Sequence, residues 1–109
     1  MAKRITKNPM KKTDVDQTLL KGITAYNQGN IQEAERLYKA VLKLYPKHPE
    51  ANHNLGIIEV SINQHGMALP RFKIAIDANP NIERFWLSYI EALIAERLFA
   101  NATQALLKA

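Results

Sequence analysis

The stretch A34-E-R-L-Y-K-A-V-L-K-L-Y-P46 returns in outline as A68-L-P-R-F-K-I-A-I-D-A-N-P80. In each, an alanine is followed by an aromatic residue four places on and by a proline eight places after that. Ala34 and Ala68 are 34 residues apart, and 34 more residues lead to Ala102. Self-similarity at a period of 20–50 residues marks an array of small supersecondary units, none of which can bury its apolar face alone. The alanine suits a point where two helices cross, since a small side chain lets backbones approach. The aromatic residue lies on the same helix face one turn on and fills the space beyond. The proline stops the helix and turns the chain into the next copy.

Outside these frames apolar residues keep helical spacing: Leu19, Ile23, Tyr26; Leu37, Val41, Leu44; Leu55, Ile58, Ile62; Leu87, Ile90, Ile94. No segment alternates apolar and polar residues as a strand would. The punctuation divides the chain into six helices. Asp14 with Gln17 fits a cap for the first, and Gly29 suits its left-handed exit. Asn30 with Glu33 fits a second cap. Pro46 ends the second helix and Pro49 suits a first turn. Asn63 to Gly66 breaks the third, Pro80 closes the fourth, Asn81 caps the fifth, and a weaker break falls at Arg97-Leu98. Spacing and punctuation together predict an all-α chain with helices over 14–28, 31–45, 49–63, 66–79, 82–96 and 99–108. Residues 14–109 then form one solenoid domain with repeats at about 15–48, 49–82 and 83–109. Pro70 falls inside the fourth helix, where a ring can kink it.

Charge is uneven. Lys3, Arg4, Lys7, Lys11 and Lys12 precede the first acid, Asp14, and account for the net +5, leaving the body neutral. A folded nucleic-acid domain would show a basic face, so residues 1–13 read as a basic, disordered leader that could touch an anionic surface. With no cysteine there is no disulfide framework and no thiolate metal site. The first residues lack the apolar core of a secretory signal, and no run approaches the ~18 apolar residues of a membrane span. A cytoplasmic location is the expectation. No catalytic constellation and no metal or cofactor site is found: His48, His53 and His65 read as solvated, Asp14 and Asp16 as a charged first turn, and Trp86 as packed core.

The pattern resembles the tetratricopeptide repeat, W-x2-L-G-x2-Y, A-x3-F and P over 34 residues. Gly22, Ala34, Tyr38 and Pro46 carry it in the first copy, with Thr18, Lys21 and Ala25 at the remaining places. Leu55-Gly56, Ala68, Phe72 and Pro80 carry it in the second, with Asn52 and Glu59 at the Trp and Tyr places. In the third, Trp86 and Ala102 match, with Tyr89, Ile90, Leu93 and Leu106 elsewhere. The resemblance implies six antiparallel helices in a right-handed superhelix. It also implies a non-catalytic protein–protein interaction scaffold whose first helices line a concave groove for a peptide or partner segment. The matching positions are Leu19, Ile23 and Tyr26, then His53, Asn54, Ile57 and Val60, then Arg84, Leu87, Glu91 and Ile94. In relatives that clamp a terminal carboxylate the places correspond to Leu19, Ile23, Asn54, Arg84 and Ser88. Only Asn54 keeps the residue, so that mode is not expected. Asn54 also matches a single rung of the asparagine ladder of relatives attached to sugar-transferring enzymes. Leu98, Leu106 and Leu107 are left without cover at the last helix. That implies either the N-terminal part of a longer protein, such as a bacterial glycosyl-, sulfo- or methyltransferase, or a homo-oligomer contact.

Overall fold

The computed structural model describes residues 11–109, and Lys3, Arg4 and Lys7 lie outside the described residues. The chain forms α1 (Lys12–Asn27), α2 (Ile31–Leu44), α3 (Pro49–Ser61), α4 (His65–Ala78), α5 (Glu83–Ala95) and α6 (Phe99–Lys108). There is no strand among the described residues. Each helix packs on its neighbours in sequence, and α1 also touches α3, as α3 touches α5. The alternate helices α2, α4 and α6 do not approach one another in this way. The array is therefore splayed on the side of α2, α4 and α6 and closed on the side of α1, α3 and α5, which is the concave side.

The turns inside each pair repeat closely. Gly29, Asn63 and Arg97, spaced by 34, all adopt left-handed backbone, with φ of 82°, 64° and 61°. In each turn the next amide donates to the carbonyl five residues back: Asn30 to Ala25 at 2.8 Å, Gln64 to Glu59 at 2.7 Å, Leu98 to Leu93 at 2.8 Å. This is a Schellman closure, which satisfies a carbonyl the helix end would leave orphaned. Glycine meets the φ without cost, asparagine with little, and Arg97 bears the Cβ penalty. The turns between pairs repeat as well. Tyr45 and Asn79 are extended, as the residue before a proline must be. Buried Asn52 Nδ2 donates to the Pro46 carbonyl at 2.9 Å, and Trp86 Nε1, 34 residues on, donates to the Pro80 carbonyl at 2.8 Å. Two unrelated side chains thus perform one task, tying the start of a repeat to the end of the previous one.

The core follows the frame. Ala34, Ala68 and Ala102 are buried at the crossings. Gly22 faces Tyr38, and Gly56 faces Phe72, so closely that an added Cβ would lie 2.6 Å and 2.5 Å from the ring. Aromatic ring and glycine are a matched pair, and in the third repeat both change together, to Leu106 and Ile90.

Several local expectations are corrected. The first helix begins at Lys12, ahead of Asp14, and no side chain caps it; Asp14 sits in its first turn. Asn30 occupies the N-cap of α2 but makes no side-chain cap bond. At α5 the N-cap is Ile82, not Asn81. His48, read as solvated, caps α3: its Nδ1 accepts from the Ala51 amide at 3.1 Å. Pro70 is exposed and α4 runs through it, because only the bond to the Gly66 carbonyl is lost, at the exposed N-terminal end of the helix.

Candidate functional site: the concave face

The concave face is built from α1, α3 and α5 and contains two hollows that share one residue. The first, about 290 Å³, is lined by Ile23, Tyr26, Asn27, Tyr38, Glu50, Asn54, Ile57 and Arg84. The second, about 230 Å³, is lined by Ile57, Val60, His65, Phe72, Ser88, Glu91 and Ala92. Ile57 is the ridge between them. Of the positions expected to line a groove, the first hollow gathers Ile23, Tyr26, Asn54, Ile57 and Arg84, and the second Val60 and Glu91. Leu19 instead packs between α1 and α3. Leu87 and Ile94 are exposed on α5, outside both hollows.

His53 is a correction. It is 6% exposed and lies behind the groove wall. Its Nε2 pairs with Ser88 Oγ at 2.8 Å, tying α3 to α5, and its ring lies 5.5 Å from Phe72 and 4.9 Å from Phe85. Burial pushes its pKa below the ordinary histidine value and the nearby Arg84 cation adds to this, against a contact with Asn54 that favours the charged form. Neutral His53 is therefore a structural cross-link between repeats.

Arg84 is not a free donor. Its guanidinium pairs with the Glu50 carboxylate, 34 residues earlier, bridging the second and third repeats across the groove floor. Opposite charges at one position of successive repeats were the signal in the sequence, and it was missed. Asn27 and Tyr38 were missed as lining residues too. Burial raises the Tyr38 pKa first of all, which keeps the phenol neutral, and its hydroxyl reaches Asn54. Glu91 takes part in no ion pair among the described residues. The lining thus offers apolar area around Ile57, the Asn54 amide, one internally matched charge pair and one unmatched carboxylate. No group of three His, Asp or Glu side chains among the described residues is placed to hold a metal. No helix among the described residues is long and apolar enough to cross a membrane.

Residues 19–66 match the family model of the tetratricopeptide repeat. No curated protein sequence matches the chain. Among solved structures it is similar to MamA from Desulfovibrio magneticus RS-1, in a form starting at residue 41: 28% identity, TM-score 0.76, over 89% of this chain. A MamA RS-1 double mutant superposes equally, with 28% identity and a TM-score of 0.77 over 90% of the chain. The tetratricopeptide domain of Sgt2 from Aspergillus fumigatus shares the fold, with 21% identity and a TM-score of 0.77 over 87% of the chain. The chain spans 55% of each MamA structure and 63% of the Sgt2 domain. With the 34-residue frame, the repeated turns and the helix-pair solenoid, these likenesses make the chain a tetratricopeptide-repeat protein.

Proposed function

We propose that the chain is a non-catalytic scaffold that binds a partner's peptide segment along the concave face, with Ile57 at the centre of the contact. The fold is that of protein–protein interaction scaffolds. The observation that carries the reading is the pair of hollows meeting at Ile57, a half-buried isoleucine flanked by space on both sides. The one ion pair in the lining is already matched within the protein, so a partner gains mainly by covering apolar surface and by bonding the Asn54 amide. Area burial is insensitive to salt, whereas charge pairing is screened within about 8–10 Å at ordinary ionic strength.

Selection of a random peptide library on the immobilised chain, with counter-selection on Ile57→Asp, tests this. Peptides should be enriched that carry apolar residues, hold on in about 0.5 M salt, and lose the chain when a carboxylate must be desolvated at position 57. Ile57→Asp should keep its helical circular dichroism. Peptides that release in high salt, or that bind the variant equally, overturn the groove reading.

A further inference from the structure

The two ends of the array are chemically opposite. Inside the array, α3 packs on the first repeat through Leu55 and Ile58, and α5 packs on the second through Tyr89 and Ala92. The same positions on α1 are Lys21 and Thr24, neither of them buried. The first end is therefore a polar face, finished for water. The last end is not. Tyr38 and Phe72 are buried under the helix that comes after them, and Leu106, at the same position, is 64% exposed. Ile94 and Phe99 are exposed beside it.

Missing cover by a further repeat does not account for the whole patch. Leu98 stands where the first two repeats have Asn30 and Gln64. Leu107, 81% exposed, stands where they have the exposed Lys39 and Lys73. At these two places the frame calls for polar residues and the third repeat supplies leucine. The apolar surface is thus extended past the footprint of a following helix. An exposed contiguous apolar patch of this kind marks an interface.

We infer that this face is a self-association surface on which a second copy of the chain docks, last repeat against last repeat, about a two-fold axis. The polar first end decides the geometry. Head-to-tail stacking would set Lys21 and Thr24 against Leu106, burying a cation without a partner. Pairing the last ends matches apolar surface with apolar surface and uses the same patch on both copies, so the assembly closes as a dimer. The turn between α5 and α6 carries Glu96 and Arg97, one charge of each sign, neither in an ion pair among the described residues, so two copies can cross-match them. This assignment is independent of the concave groove, which lies on another face.

Sedimentation equilibrium over a wide concentration range tests it. The chain should titrate between one and two copies and go no higher. Leu106→Asp with Leu107→Asp should weaken the dimer by about a hundredfold, since two carboxylates are desolvated on contact, and should leave the helical circular dichroism intact, both residues being exposed. Leu20→Asp, at the other end, should change nothing. Because the chain has no cysteine, a single introduced thiol reports geometry: Thr103→Cys on α6 should cross-link to itself on oxidation, and Lys21→Cys should not. A monomer at every concentration, a dimer indifferent to the leucine changes, or Lys21→Cys linking to Thr103→Cys would each overturn the proposal.

Discussion

The second and third repeats share a frame and differ in their surroundings. In both, an alanine at the crossing is buried and a large side chain comes four residues later. Phe72 is wholly buried and Leu106 is not. The cause is the neighbouring helix: α5 covers Phe72, and no helix among the described residues covers Leu106. In an array, then, burial belongs to the interface between units and cannot be assigned from a position's place in its own repeat. The sharpest test is a pair of truncations measured by urea unfolding at a concentration where the chain is monomeric. Phe72→Ala should cost about 4 kcal/mol, in the range of core phenylalanine deletions. Leu106→Ala should fall within about 0.5 kcal/mol of the parent, as exposed substitutions do. Equal costs would break the comparison.

A second contrast lies beneath the first. At one packed position the first repeat has Ala25, the third has Leu93, and the second has Glu59, a buried carboxylate. Glu59 is tolerated because Arg71 reaches it, with Nε 2.9 Å from both carboxylate oxygens. The partner position in the third repeat is Ala105, so an apolar pair and an ion pair do the same job in adjacent repeats. Replacing one member of a buried pair strands the other, while replacing both with packed apolar groups is often neutral. Arg71→Ala should therefore cost about 3 kcal/mol by thermal or denaturant unfolding. Glu59→Leu with Arg71→Ala, which copies the third repeat into the second, should return to within about 1 kcal/mol of the parent. If the double variant is as damaged as the single one, the two repeats are not interchangeable at this position.

Legibility in the sequence depends on where the information sits. The 34-residue frame, six helices and their ends to within two or three residues were readable, because helical periodicity, Gly29, Pro46 and Pro80 act locally. The concave positions Ile23, Asn54, Ile57 and Val60 were readable because the frame fixes them. His53 was not. One side of its ring meets Phe72 and Phe85 and its Nε2 meets Ser88, and those partners lie 19 to 35 residues away, so a histidine near a turn looked solvated. The same holds for Arg84, whose partner Glu50 is a whole repeat distant. The capping misses have another cause. Asp14 and Asn81 are competent caps, but α1 already begins at Lys12 and α5 begins after Ile82, where packing of Ile82 against Phe85 and Ile76 sets the start. Tertiary contacts outweigh a cap worth about 1 kcal/mol.

His53 gives the smallest effect and separates the middle repeat from its neighbours by pH. The same position holds Leu19 in the first repeat and Leu87 in the third, so only the middle repeat carries a titratable group there. Its folded pKa lies below the ordinary value of about 6.5, because burial disfavours the imidazolium. Below about pH 6.5 the unfolded chain takes up a proton at this residue and the folded chain does not, so acid favours unfolding. The stability owed to neutral His53 is fully present above about pH 6.5 and falls as pH drops, by at most about 1.4 kcal/mol per unit, until the folded histidine titrates as well. Denaturant unfolding at a series of pH values between about 5 and 7.5 measures the slope, in a window where the acids are still ionised. His53→Leu, which makes the three repeats alike, should flatten that part of the profile. Ser88 is only half-buried, so its hydroxyl can turn to water when the imidazole is gone. The other two histidines remain in the variant as internal controls, since His48 and His65 are more exposed. A slope that persists unchanged in His53→Leu would assign the pH dependence to one of them, most directly to His48, whose ring nitrogen must stay unprotonated to cap α3.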